Sequence, residues 1–323
     1  MGIMASHDVR ARGEPCFNWC RENKGMDAGR LLCAGALTHR ERTAYMKWNV
    51  VTDSSCDLIP SDYRSDAIEL SSVPFEISVG VRGYTDNDQL DIEEMLRDME
   101  QEKTASYTSC PAPGAWLEQF EKADRTIAIT ISSQLSGSMN SALTARDLAL
   151  EADSDKKIAV LDSRSTGPEL VLCVREIERL AREGIDFDEA VERANAFLDK
   201  TKVIFALSSF DNLIKNGRMN KLAGFLAKAL GMWGIGSASD EGRIVVEGKT
   251  RGPKRTVRAL IECMRECGFT GGNVAISHCD NHAVAHALKD GILSAWADSQ
   301  IEILPTRGLC SYYAERGGLI VGF

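Results

Sequence analysis

The chain has 323 residues, 44% of them hydrophobic, and a formal net charge of −9 at pH 7. That length and apolar content support a large buried core and favour two domains over one. The excess of acid gives no net electrostatic drive toward a phosphate backbone, which excludes nucleic acid as the expected partner. No apolar run reaches the roughly 18 residues that a membrane-spanning helix needs, so at most a transient contact with a membrane surface is expected. Residues 1–46 lack helical or strand periodicity and read as a leader expected to be disordered, with Met46 as a natural start.

From Trp48 onward, short β-type runs alternate with helical ones, the signature of an α/β fold. Strands are predicted at 48–52, 126–131 and 157–161, and helices at about 91–102, 113–122, 138–151, 169–183 and 187–200, several of them opened by Ser, Asp or Pro caps. This half, residues 47–201, reads as an α/β/α domain around a parallel sheet. Its ligand is expected beyond the carboxyl ends of the strands. In residues 202–323 the pattern changes. A strand at 203–207 is followed by helices at 212–215 and 222–230, and a hairpin pairs 232–238 with 243–246 through Asp240-Glu241-Gly242. The hairpin marks a second α/β domain with a mainly antiparallel sheet. A strand at 273–277 and helices at 253–267 and 281–290 complete it.

The stretch most informative about function joins the strand Thr126-Ile-Ala-Ile-Thr-Ile131 to a helix through Ser132-Ser133-Gln134-Leu135-Ser136-Gly137-Ser138. A turn between a strand end and a helix start presents free N–H groups and the positive end of the helix dipole, which suits an anion. A second hydroxyl-rich turn, Tyr107-Thr108-Ser109-Cys110-Pro111, adds neutral donors. Neither turn holds Lys, Arg or His, so a single carboxylate fits better than a polyphosphate. The same residues are also compatible with a turn that only caps a helix.

Ser136 lacks the Gly two positions earlier that a nucleophile elbow requires, because Gln134 stands there. Gly242 to Thr250 imitates a phosphate-binding loop but is one residue too long and β-patterned at its centre. His278, His282 and His286 recur every four residues without the carboxylate spacing of a metal site, so no metal and no cofactor are expected. Ten cysteines without a Cys-x-x-Cys pair, in a chain too large to need disulfides, fit a reducing cytoplasm. Lys249, Arg251, Lys254 and Arg255 make a basic cluster, and Arg218 follows the Asn216-Gly217 turn.

Four ordered motifs, Asp53-Ser54-Ser55-Cys56-Asp57-Leu58, Thr108-Ser109-x-Pro111, Leu135-Ser136-Gly137-Ser138 and Asn216-Gly217-Arg218-Met219, resemble the DegV family of bacterial fatty-acid-binding proteins. The resemblance runs from about Trp48 to the C-terminus. It implies a two-domain α/β fold and a long-chain fatty acid whose carboxylate is held by Thr108, Ser136 and the Gly137 N–H, with Ser109 and Ser138 adjacent. It further implies that a separate ATP-dependent kinase phosphorylates that carboxylate, with Arg218, Lys249 and Arg251 as residues for docking or phosphoryl transfer. The chain would then be a substrate carrier with no catalytic residue of its own. A lipid-responsive sensor or storage protein, or a stand-alone serine-dependent enzyme, are the alternatives. One departure stands out. Members often carry a His-x-Gly-Pro-Gly turn near the C-terminus, where this chain reads Pro305-Thr306-Arg307-Gly308-Leu309-Cys310-Ser311-Tyr312. Arg307 or Tyr312 is the expected replacement for the missing histidine.

Overall fold

The computed structural model describes residues 47–102, 106–219 and 231–323. The leader and the helix expected at 222–230 lie outside the described residues. The first half runs β1 (Trp48–Asp53), β2 (Ile68–Val73), β3 (Glu76–Val79), β4 (Arg82–Thr85), α1 (Ile92–Gln101), β5 (Ser106–Ser109), α2 (Pro113–Phe120), β6 (Arg125–Thr130), α3 (Ser138–Ala152), β7 (Lys157–Asp162), α4 (Pro168–Arg182) and α5 (Phe187–Leu198). Four of these strands form a parallel sheet in the order β2-β1-β6-β7. β1 and β6 are buried on both faces along almost their whole length, as central strands of a parallel sheet covered by helices on both sides. Alternate residues of β1 serve opposite layers: Val51 packs with Trp116, Phe120 and the alanines of α3, whereas Val50 packs with Leu170, Val174 and Ile177 of α4.

The remaining elements are β8 (Val203–Leu207), α6 (Asp211–Lys215), β9 (Met232–Ala238), β10 (Ile244–Arg251), α7 (Pro253–Glu266), β11 (Asn273–His278), α8 (His282–Ala295), β12 (Gln300–Pro305), α9 (Gly308–Ala314) and β13 (Leu319–Gly322). Their six-stranded sheet has the order β10-β9-β8-β13-β11-β12, with every pairing antiparallel except β11 with β12. One face is covered by α7 and α8 through Leu260, Met264, Leu288 and Ile292. On the other face, Phe205 and Ile320 pack with Leu96 of α1 and Leu213 of α6.

Sequence periodicity does not show the third sheet, antiparallel in the order β4-β3-β5. The hydroxyl-rich stretch around Thr108, expected to be a turn, is instead the edge strand β5, paired residue by residue with β3. Alternation along that strand half-buries Thr108 and leaves Ser109 exposed.

Buried carboxylates fasten these layers together. Asp86 accepts the Gly308 and Leu309 N–H groups at the start of α9, at 2.9 and 2.7 Å, and Asp57 accepts the Arg307 N–H at 2.8 Å. Burial pushes the Asp57 carboxyl up to about 6 from an ordinary 3.8, against the pull of its hydrogen bonds. The native state therefore binds the extra proton, and its stabilising contribution is complete below the ordinary value and lost as pH rises through about 6. Asp57→Asn should remove about 2 kcal/mol of the fall in stability between pH 4.5 and pH 7.5. Urea unfolding of both proteins at the two pH values measures it, and parallel pH profiles would show that Asp57 does not titrate in this range.

Candidate functional site

The turn after β6 is built around the carboxylate of Asp53, the last residue of β1. Its Oδ2 accepts from the Ile131 N–H at 2.9 Å and from the Ser138 hydroxyl at 2.6 Å, and its Oδ1 accepts from the Ser55 N–H at 3.2 Å and the Ser55 hydroxyl at 2.5 Å. Burial raises the Asp53 pKa, while the Ser138 and Ser55 hydrogen bonds pull it down. One side chain thus fixes the entry and the exit of the turn. The Ser138 hydroxyl is consumed in doing so and is buried away from any ligand. Gly137 is the exposed N-cap of α3, and its N–H makes no hydrogen bond among the described residues. The Ser136 oxygen accepts the Ser138 N–H at 3.2 Å, which leaves its own proton available for donation.

Thr108 reaches the same place from β5, where its hydroxyl lies 2.8 Å from that of Tyr313. Burial raises the Tyr313 pKa, so the phenol remains a neutral donor. Arg218 arrives from α6. That helix ends in a Schellman motif, with Gly217 at φ 73°, its N–H on Ile214 O at 3.1 Å and the Arg218 N–H on Leu213 O at 2.9 Å. The reversal sends the guanidinium toward the turn after β6, where Nε donates to Leu135 O at 3.1 Å while Nη1 donates to Asn216 O at 2.6 Å.

Thr108, Ser136, Arg218 and Tyr313 line one cavity, with Phe75, Ile131, Phe205, Leu207 and Ile320 among its apolar walls. The turns after β6 and β7 and helix α9 supply part of this lining, and the six-stranded sheet with its hairpin supplies the largest share. A narrow polar group on an otherwise greasy wall suits a molecule with one small anionic end and a long hydrocarbon body. Among the described residues the lining holds no histidine that could activate Ser136 as a nucleophile.

The two candidate replacements for the missing histidine lie elsewhere. Arg307 is buried and spoken for, with Nη1 on Leu58 O at 2.9 Å, Nη2 on Asp86 O at 3.2 Å and an ion pair to Asp88 at 3.2 Å. Tyr312 is also fully buried, donating to the Ser106 hydroxyl at 2.7 Å and accepting from Asn216 Nδ2 at 3.0 Å. One residue along a helix is a rotation of about 100°, and it is the neighbour Tyr313 that faces the cavity. Ser109 does not line it, and Lys249 and Arg251 lie exposed on β10. His282 and His286 bring their Nε2 atoms to 3.0 Å, but no group of three potential ligands converges among the described residues. The seven described cysteines are free thiols, and no described helix is long and apolar enough to cross a membrane.

Residues 47–323 match the sequence model of the DegV family. A DegV domain-containing protein of Streptococcus pyogenes serotype M1 is 40% identical over 278 residues, covering 86% of this chain and 99% of the relative. Among solved structures, the Streptococcus pneumoniae Fatty Acid Kinase (Fak) B3 protein loaded with linoleic acid is similar at TM-score 0.83 and 37% identity, over 86% of this chain and 99% of that one. A DegV family protein from Eubacterium eligens loaded with heptadecanoic acid is similar at TM-score 0.81 and 36% identity, over 85% and 98% of the two chains. With the family match spanning every element of both larger sheets and the four ordered motifs, this chain belongs to the DegV family.

Proposed function

We propose that the chain encloses one long-chain fatty acid between an N-terminal domain, residues 47–201, and a C-terminal domain, residues 202–323, and presents its carboxylate to a separate ATP-dependent kinase that forms the acyl-phosphate. The observation that carries this reading is the apolar cavity with Thr108, Ser136, Tyr313 and Arg218 on its wall. Burying about fifteen methylenes at ~0.8 kcal/mol each offers on the order of 12 kcal/mol before ordering and polar costs. The hydroxyls and the Gly137 N–H then orient the head group. Arg218 supplies the cation that the two hydroxyl-rich segments lack, in position to stabilise charge on a transferring phosphoryl group. Exposed Lys249 and Arg251 suit an acidic surface of the partner. The fatty acids carried by the Streptococcus pneumoniae and Eubacterium eligens proteins, and the kinase in the former's name, support the same reading. A sensor or storage protein would share the cavity but need no kinase.

Native mass spectrometry of the purified protein, before and after incubation with oleate, is the test, and a one-to-one lipid complex is expected. Ser136→Ala, Thr108→Val and Tyr313→Phe should each weaken binding by about 1–2 kcal/mol, the scale of a hydrogen bond to a charged group. Adding a fatty acid kinase and ATP should yield acyl-phosphate, with none formed in its absence. No lipid uptake at all would sink the binding reading, whereas uptake without kinase-dependent product would favour storage or sensing.

A further inference from the structure

The cavity has a second boundary of different character. Arg164, Val203 and Ala238 line the apolar cavity and also an adjoining polar pocket, which none of Thr108, Ser136, Arg218 or Tyr313 borders. Val203 begins β8 and Ala238 ends β9, one step beyond the paired Ile204 and Ser237, so the two residues stand side by side at the end of that ladder. The space behind them is charged. Arg164 pairs with Asp199 at 2.7 Å, Lys202 pairs with Asp240 at 2.7 Å, and the buried Glu169 accepts the Thr201 hydroxyl at 2.6 Å.

We propose that Val203 and Ala238 form the stop that sets acyl chain length, an inference that rests on the fatty-acid reading above. With the carboxylate fixed at Thr108, Ser136 and Tyr313, the chain is measured from there to this wall. A methyl end pushed past it gains no apolar contact and must displace water from paired charges, which is costly. The stop is therefore partly steric and partly electrostatic, and a side chain added at Ala238 shortens the measure while one removed at Val203 lengthens it.

Competition of saturated fatty acids of 12 to 20 carbons against a fluorescent fatty acid, on the full chain and on Ala238→Leu and Val203→Ala, tests this. Each methylene that no longer fits should lose about fourfold in affinity. Ala238→Leu should therefore reduce the preference for the 18-carbon over the 14-carbon acid at least tenfold, and Val203→Ala should move the optimum to longer chains. If Ala238→Leu binds no acid of any length, its fold is compromised and the shift in Val203→Ala decides alone. An unaltered length ranking in the variants that bind overturns the stop, whereas a wild-type chain that binds none of the acids overturns the fatty-acid reading itself.

Discussion

Asp53→Ala is expected to destabilise the protein by about 3 kcal/mol and to weaken fatty-acid binding at the same time. The carboxylate accepts four hydrogen bonds in a fully buried position, two from backbone N–H groups of Ser55 and Ile131 and two from the hydroxyls of Ser55 and Ser138. The hydroxyls can turn to other acceptors, but the amides cannot. Each buried N–H left without a partner costs about 1–3 kcal/mol, and relief of the carboxylate's own desolvation offsets part of the total. Loss of the Ser138 contact also frees the first turn of α3, and with it Ser136 and Gly137. Asp53→Asn keeps one acceptor oxygen and should fall between wild type and alanine. Urea unfolding gives the stability change, and titration with a fluorescent fatty acid gives the binding change. A stable Asp53→Ala variant that binds normally would show that the turn holds its shape without this clamp.

The role of Asp53 illustrates what sequence conveys and what it withholds. The strand ending at Thr130, the serine-rich turn and the helix opening at Ser138 are all legible, because buried strands write continuous apolar runs and helix starts write small polar residues. The antiparallel hairpin through Gly242 is legible for similar reasons. By contrast β3, β4 and β5 are four residues each, with polar and apolar positions mixed, so the Thr108 segment shows its hydroxyls and hides its strand. The C-terminal replacement for the histidine is beyond local reading altogether. An arginine beside the proposed carboxylate site is chemically attractive, yet Arg307 is claimed by Leu58, Asp86 and Asp88, more than 200 positions earlier in the chain. Tyr313 is identified only by its partner Thr108, whereas Arg218 is already marked by the Asn216-Gly217-Arg218 motif and only its reach to Leu135 depends on where the Schellman turn aims it.

Gly242→Ala should cost about 3 kcal/mol and open the cavity. Gly242 closes the turn between β9 and β10 at φ 86°, a conformation that costs a residue with a Cβ about 1–2 kcal/mol. Space is as limiting as conformation. A Cβ there would lie 2.3 Å from Ser132 Oγ, 2.7 Å from the Arg164 carbonyl oxygen and 2.8 Å from Arg164 Cα. Two of these atoms are backbone in the turn after β7 and cannot swing aside, so overpacking adds about 1–3 kcal/mol. The Ser132 hydroxyl donates to Gly242 O at 2.8 Å, and this contact joins the serine-rich turn of the parallel sheet to the hairpin of the other sheet. Forcing the two apart should lift Ala238 and Ile244, both cavity residues, away from the acyl chain. Gly248→Ala in β10 is the control, since nothing lies within 4 Å of its Cβ position and its φ is not positive. That control should stay within about 0.5 kcal/mol of wild type. Thermal and urea unfolding of the two variants, each followed by fluorescent fatty-acid titration, separates them. If Gly242→Ala matches Gly248→Ala in both stability and affinity, the hairpin tip yields without cost and the contact through Ser132 does not hold the cavity closed.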